Sequence, residues 1–320
     1  TVNGLNRFDT RTGLIKHYLH SADHHESNKN IVRALLVDSK ANLWVGTAAA
    51  GLCLYNKQTD SFTRFVNDPS DPGSICHNDV LSLAEDANGI IWVGTENGGI
   101  SLYDRWKKRF TCIRNDDNNE TGLNNNSIHC LYNDDQGNMW VGTWSGGVNL
   151  MPRYGQKFSL FRKTVEKNSL RNNIILSLAG DPSGNLWIGT DGGGLNYFDR
   201  KRKTFTHYVN DYKNPNSIKS DHILSIWNDG SDTMAIGYHP QGFSLFNKRT
   251  GRFTHNKNTS TDGPQLTYSV LAITKDHEGK YWLATWRGLY VYDPAANKTH
   301  FFDHDAANDK SIASNIVNAI

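Results

Sequence analysis

One tetrapeptide recurs along this 320-residue chain at a near-constant interval, and no other feature limits the fold as strongly. It stands at Trp44-Val-Gly-Thr47, Trp92-Val-Gly-Thr95, Trp140-Val-Gly-Thr143, Trp187-Ile-Gly-Thr190 and Trp282-Leu-Ala-Thr285, at intervals of 48, 48, 47 and 95 residues. The last interval is two units long. Its missing copy is degenerate, Ala235-Ile-Gly-Tyr238, with the tryptophan lost. A fixed period of this size means a stacked array, because one such unit cannot bury its own apolar face.

The flanks repeat as well. Six residues before each Trp position lies an aspartate: Asp38, Asp86, Asp134, Asp181, Asp229 and Asp276. Gly or Asn lies between in most copies. This is tight-turn chemistry, since Gly accepts positive φ and Asp and Asn bond back to the local backbone. After each Thr position come variable residues and then Gly with an apolar residue, as at Gly51-Leu52, Gly99-Ile100, Gly147-Val148 and Gly194-Leu195. Aromatic pairs such as Phe62 and Phe65 follow, then Ser-Ile/Leu-x-x-Asn/Asp, as at Ser74 to Asn78 and Ser217 to Asp221.

Each unit reads as four short strands, a to d; in the second they cover 79–84, 90–95, 99–104 and 109–114. In strand a, Val32, Val80, Ile128, Ile175, Ile223, Val270 and Val317 share one position. Two residues on, every copy is small: Ala34, Ser82, Cys130, Ser177, Ser225, Ala272 and Ala319. Small side chains suit the crowded inner strand of a radial array. The pattern predicts an all-β fold, a β-propeller of seven blades with four antiparallel strands each. Six full blades run from about 30 to 303. The seventh is shared between residues 1–21 and 311–320, lacks strand b, and closes a single domain. The pattern begins and stops in mid-unit, so these residues are expected to be a piece of a longer protein.

Charge and cysteine content narrow the function. The 34 basic and 32 acidic residues leave a net charge of +2, which gives no case for nucleic acid or an anionic membrane surface. No run of 18 apolar residues is present, and residues 1–19 do not read as a signal peptide. Cys53, Cys76, Cys112 and Cys130 fit no metal spacing, so neither metal nor cofactor is expected. Cys53 and Cys112 fall in strand patterns and read as free buried thiols; a disulfide between two of the four is the alternative, with its pairing open.

The composite unit Ser-Ile-x-x-Asn…Asp-x-x-Gly-x-x-Trp-Val-Gly-Thr-x-x-Gly-Gly-Leu-x-x-Tyr-Asp resembles the two-component regulator propeller repeat over nearly the whole chain. The Gly-His and Trp-Asp signatures of WD repeats are absent. The resemblance implies a periplasmic ectodomain of an inner-membrane hybrid sensor histidine kinase of Bacteroidetes, which recognises oligosaccharides from polysaccharide breakdown. It also implies partner domains outside these residues: a second propeller, a small β-sandwich, a membrane helix, the kinase and a DNA-binding regulator. Similar repeats occur in lyase-type propellers, so a lyase-type enzyme and a structural or homodimerising module are the competing readings.

Repeated residues are read as scaffold, so candidate site residues are those that differ between blades. The b–c loops follow each Thr position. Two of them carry Trp144 and the pair Trp286 and Arg287; the tryptophans have no evident core to fill unless each caps a neighbouring blade. Glu96, Asn97, Asp191 and His239 are the polar loop candidates, and Tyr238 directly precedes its loop. Arg33, His129 and Asn318 replace leucine at one inner-strand position and are expected either to line the channel or to bond one another or water. Sugars suit such a set, because their C–H faces stack on aromatic rings and their hydroxyls bond planar polar groups. No catalytic residue is assigned: the His24-His25 pair has no spaced partner, and Glu96 and Asp191 are carboxylates of unknown separation.

Overall fold

The computed structural model describes residues 1–18, 29–155, 157–255 and 263–320; the His24-His25 pair and residues 19–21 of the expected closing blade lie outside them. Alternating β-branched, aromatic and small residues form six four-stranded antiparallel sheets within the described residues, and residues 5–18 form a two-stranded one. In blade 2 the strands are Val80–Glu85, Ile91–Thr95, Ile100–Asp104 and Arg109–Ile113, side by side in the order a-b-c-d. Each boundary lies within one residue of that expected from the repeat. Blades 1 to 6 cover 32–65, 80–113, 128–161, 175–208, 223–255 and 270–302. Strand a of each blade lies beside strand a of the next, which makes the array a propeller.

The repeated aspartate has two jobs. Asp134 accepts the backbone N–H groups of Gln136 and Asn138 at 3.0 and 2.8 Å, closing the a–b turn. It also accepts the indole N–H of Trp140 at 2.9 Å and an N–H of Arg200 from the next blade at 2.7 Å. Indole bonds recur at Asp38–Trp44, Asp86–Trp92 and Asp276–Trp282, at 2.7, 3.1 and 2.8 Å. The six-residue offset is therefore the reach from turn to ring. Two copies change partner: Asp181, although Trp187 stands at the same six-residue offset, accepts from the Tyr197 hydroxyl at 2.9 Å, and Asp229, without a tryptophan at 235, pairs with Lys275 at 2.9 Å.

The held rings pack between blades. Trp44 packs among Val80, Ile91, Tyr103 and Phe110 of blade 2. Trp187 likewise meets Tyr238 and Phe246 of blade 5. The glycine of the tetrapeptide allows this approach. A Cβ on Gly94 would stand 2.2 Å from Ser82 Oγ and 2.7 Å from Ile128 Cγ2 of the next blade. Ser82 Oγ in turn donates to the Ile128 carbonyl at 3.0 Å, so the small-residue column ties inner strands together.

The closing blade differs. Its strands c and d, Leu5–Phe8 and Ile15–Tyr18, pair from Leu5↔Tyr18 to Phe8↔Ile15. Thr1 Oγ1 donates to the Gly4 carbonyl at 3.0 Å, as Thr95 Oγ1 does to Gly99 at 2.8 Å, so Thr1 occupies the end of a strand b position. Residues 311–320 meet the N-terminal segment as expected: the Ala313 N–H donates to Asn6 Oδ1 at 2.9 Å, and Asn318 Nδ2 donates to the Val32 carbonyl of blade 1 at 3.0 Å. They form no ladder among the described residues. Beside them lies an apolar cavity of about 380 Å³ lined by Phe8, Ile15, Leu35, Trp282, Phe302 and Ile312. Interfaces between complete blades hold between 7 and 10 buried apolar residues each. Among the described residues the two beside the closing blade hold 3 each, so this is the most thinly packed seam of the ring.

One cysteine reading is corrected. Cys112, read as a free thiol, is joined to Cys76, which ties strand d of blade 2 to the loop that leads into that blade. Sequence spacing carries no such pairing information. Cys53 is buried and free.

Candidate functional site

In blades 1 to 5 the b–c loop opens beside the residue that precedes strand a in its own blade. The backbone N–H groups of Glu96, Trp144, Asp191 and His239 donate to the carbonyls of Asp79, Ser127, Ile174 and His222, at 3.0 to 3.1 Å. Side chains then reach across to the next blade. Ser127 Oγ donates to Glu96 Oε1 at 2.8 Å, His222 Nδ1 meets the Asp191 carboxylate, and His239 Nδ1 meets Ser269 Oγ at 2.6 Å. The Arg33 guanidinium lies 3.3 Å from Asp79. Two columns of the repeat are thus matched around the mouth of the channel. Loop-opening residues are Val2, Ala48, Glu96, Trp144, Asp191, His239 and Trp286; their partner positions on the next blade are Ile31, Asp79, Ser127, Ile174, His222, Ser269 and Ile316. Polar residues face polar ones, and both tryptophans fall where the next blade supplies isoleucine. Ala48 is the exception, and there Asp79 takes Arg33 instead.

The mouth therefore carries two polar arcs, each ending in a tryptophan. The first runs over blades 1 to 3: Arg33, Asp79, Glu96, Ser127, His129 and Trp144. Trp144 is 47% exposed, and its ring stacks on His129 with centroids 5.0 Å apart. Burial pushes the Asp79 carboxyl above its ordinary value; Arg33 opposes this and Glu96 adds to it. Burial likewise lowers the His129 imidazole, against the pull of Glu96. The second arc runs over blades 4 to 6: Asp191, His222, His239, Ser269 and Trp286. Trp286 is 52% exposed, edge-on to His239 at 5.2 Å, and His239 lies 6.2 Å from His222. Arg287 follows, with its guanidinium 5.7 Å from the Tyr268 ring centre.

The candidates named from sequence are thus sorted. Trp144, His129, Glu96, Asn97 and Arg33 fall on the first arc, with the Asn97 N–H donating to Ser127 Oγ at 3.2 Å. Asp191, His239, Trp286 and Arg287 fall on the second. Asn97 holds a left-handed backbone, φ 61°, at its loop. Tyr238 is not a site residue: it is 0% exposed and packs with Ile236 and Phe246. It ends strand b, a position that is buried in every blade, as at Thr95, Thr143 and Thr285. Asp79, Ser127, His222 and Ser269 went unnoticed. The signal was available, since their column alternates between isoleucine and polar residues where a scaffold column would not.

Three segments of the chain, residues 74–97, 122–145 and 169–192, match the family model of the two component regulator propeller. The chain carries two-component regulator propeller repeats. Each matched segment runs from the Ser-Ile/Leu-x-x-Asn or corresponding approach to strand a, through the Asp–Trp turn, to the start of a b–c loop. No curated protein sequence matches this chain. Among solved structures, the extracellular domain of the hybrid two component system BT3049 from B. thetaiotaomicron superposes with a TM-score of 0.76 at 22% identity, over 91% of this chain. The chain spans 37% of the length of that domain. Virginiamycin B lyase from Staphylococcus aureus superposes at 0.64 with 14% identity, over 85% of this chain and 83% of the lyase. The protein U3-55K also superposes at 0.64, with 8% identity, over 90% of this chain and 84% of its own length. These likenesses show the propeller fold; proteins this different on one scaffold show that the fold does not set the function.

Proposed function

We propose that this regulator propeller is an extracytoplasmic ligand-sensing domain of a hybrid two-component sensor histidine kinase. Its ligands are oligosaccharides from polysaccharide breakdown, and binding is relayed to a kinase carried by other domains of the parent protein. The observation that carries the reading is the pair of half-exposed tryptophans, Trp144 and Trp286, each set beside a histidine at the end of a polar arc. A sugar ring stacks on such an indole, while Glu96, Asn97, Asp191, His239 and Arg287 orient its hydroxyls. The repeat-family match supports the sensor role. The Cys76–Cys112 disulfide supports an oxidising compartment such as the periplasm. Residues 1–320 form one propeller domain in this reading, and no catalytic step is assigned to them.

Calorimetric titration with a panel of oligosaccharides tests the proposal. Binding that weakens about tenfold or more in Trp144→Ala or Trp286→Ala supports it. Failure of every oligosaccharide to bind, or appearance of unsaturated sugar products on incubation with polyuronates, contradicts it; the second result favours a lyase.

A further inference from the structure

The two tryptophans differ in the charge placed around them. Beside Trp144, the one guanidinium of the arc, Arg33, is committed to Asp79, and the Glu96 carboxylate is a further negative group that also acts on His129. Counting Arg33 as +1 and Asp79 and Glu96 as −1 each, this arc carries −1 with His129 neutral. An anionic ligand group is repelled there, and the acceptor-rich surface suits the hydroxyls of an uncharged sugar.

The Trp286 end is built the other way. Arg287 is exposed, and no carboxylate among the described residues forms an ion pair with it; its guanidinium lies over the Tyr268 ring instead. A guanidinium in this state keeps its N–H edges for an incoming anion. Asp191, the one carboxylate of the arc, is occupied by His222. A carboxylate only accepts, so His222 carries its proton on Nδ1 and, when neutral, presents Nε2 as an acceptor for a sugar hydroxyl. The His239 ring is fixed by Ser269 and braces Trp286 edge-on. A stacking ring, a fixed hydroxyl acceptor and an unneutralised guanidinium thus lie in one contiguous run.

We infer that the blade 5–6 end of the mouth is an anion-selective subsite: it takes a carboxylate- or sulfate-bearing residue of an oligosaccharide, held on Trp286 with its acid group on Arg287, while the Trp144 end takes an uncharged residue. This inference rests on the glycan-sensing reading and names the substrate class within it.

Tetragalacturonate, a sulfated tetrasaccharide of a glycosaminoglycan and an uncharged galactotetraose of equal length serve as probes, each titrated into the chain at low and at moderate salt. The expected result is that at least one anionic probe binds more tightly than the uncharged one, with an affinity that falls as salt rises. Arg287→Gln is expected to weaken that probe about tenfold and to remove most of its salt dependence, with an unchanged melting temperature because the side chain is exposed. Comparable binding of uncharged and anionic probes, indifferent to Arg287→Gln, overturns the subsite while the glycan-sensing reading stands. Binding of an anionic probe that is lost in Trp144→Ala but intact in Arg287→Gln also overturns it. If no probe binds, this inference falls, while the glycan-sensing reading is decided by the wider oligosaccharide panel.

Discussion

Trp140 and Trp144 stand four residues apart and meet opposite fates. Trp140 is 1% exposed, its indole N–H on Asp134 and its face against Phe161 and Phe198; Trp144 is 47% exposed and touches His129 at the channel mouth. The same contrast holds for Trp282, bonded to Asp276, and Trp286, at the end of the second arc. A tryptophan that recurs with its aspartate is part of the scaffold. A tryptophan that occurs in two loops out of seven, opposite an isoleucine position, is not. The blade interfaces are alike because every blade must pack on the next. The mouth has no such requirement, so differences there are free to serve a ligand.

This contrast is open to breaking by substitution. The largest effect is expected from Trp140→Ala, which opens a void between blades 3 and 4 and removes one of the donors to the Asp134 carboxylate. A loss of about 3–5 kcal/mol is expected by denaturant unfolding. Gly94→Ala is expected to cost about 1–3 kcal/mol, because the added methyl meets Ser82 and Ile128. Trp282→Ala is expected to cost roughly 1–2 kcal/mol, at the mild end, because its ring already borders the cavity of the closing blade. An equal loss for Trp140 and Trp282 contradicts the view that the closing blade is the most thinly packed seam.

Acid titration reads the same scaffold. Burial alone would raise the Asp134 carboxyl, but bonds from Asn138 and Trp140 and the charge of Arg200 outweigh it and hold the group below its ordinary value of 3.8. Asp38 and Asp276 are held low in the same way, and Asp229 falls to about 2. A carboxyl depressed on folding contributes fully above its ordinary value, and that contribution is lost as pH falls toward the folded value. Stability is therefore expected to drop below pH 3.8, and Asp134→Asn is expected to flatten part of that drop in a series of melts. The smallest effect belongs to Trp144→Ala and Trp286→Ala, expected to change stability by no more than about 0.5 kcal/mol. A loss as large as that of Trp140→Ala would place these rings in the scaffold.

Much of the fold was legible because the repeat states it six times. Four of the six b strands carry Trp, Gly and Thr together, and each turn has its own Asp, so a degenerate copy such as Ala235-Ile-Gly-Tyr238 is outvoted by its neighbours. The seventh blade was legible in part. Thr1 to Asp9 and Ser311 to Ile320 show strand patterns, but a segment without a ladder partner does not become a strand. The disulfide was not legible, since Cys76 lies in a loop whose path depends on the blade it approaches. The site was half legible. Scanning for residues that break the repeat found Trp144, Trp286 and Arg287, yet admitted Tyr238, because closeness to a loop says nothing about direction. It also missed His222 and Asp79, which appear only when one column of a blade is set against the facing column of the next.

The most direct test of the division between scaffold and site is the indole N–H region of the NMR spectrum, where the 9 tryptophans give one signal each. On titration with a bound oligosaccharide, the account predicts that the signals of Trp144 and Trp286 shift while those of Trp44, Trp92, Trp140 and Trp187 stay in place. Shifts confined to the interface tryptophans, with Trp144 and Trp286 unmoved, would contradict it.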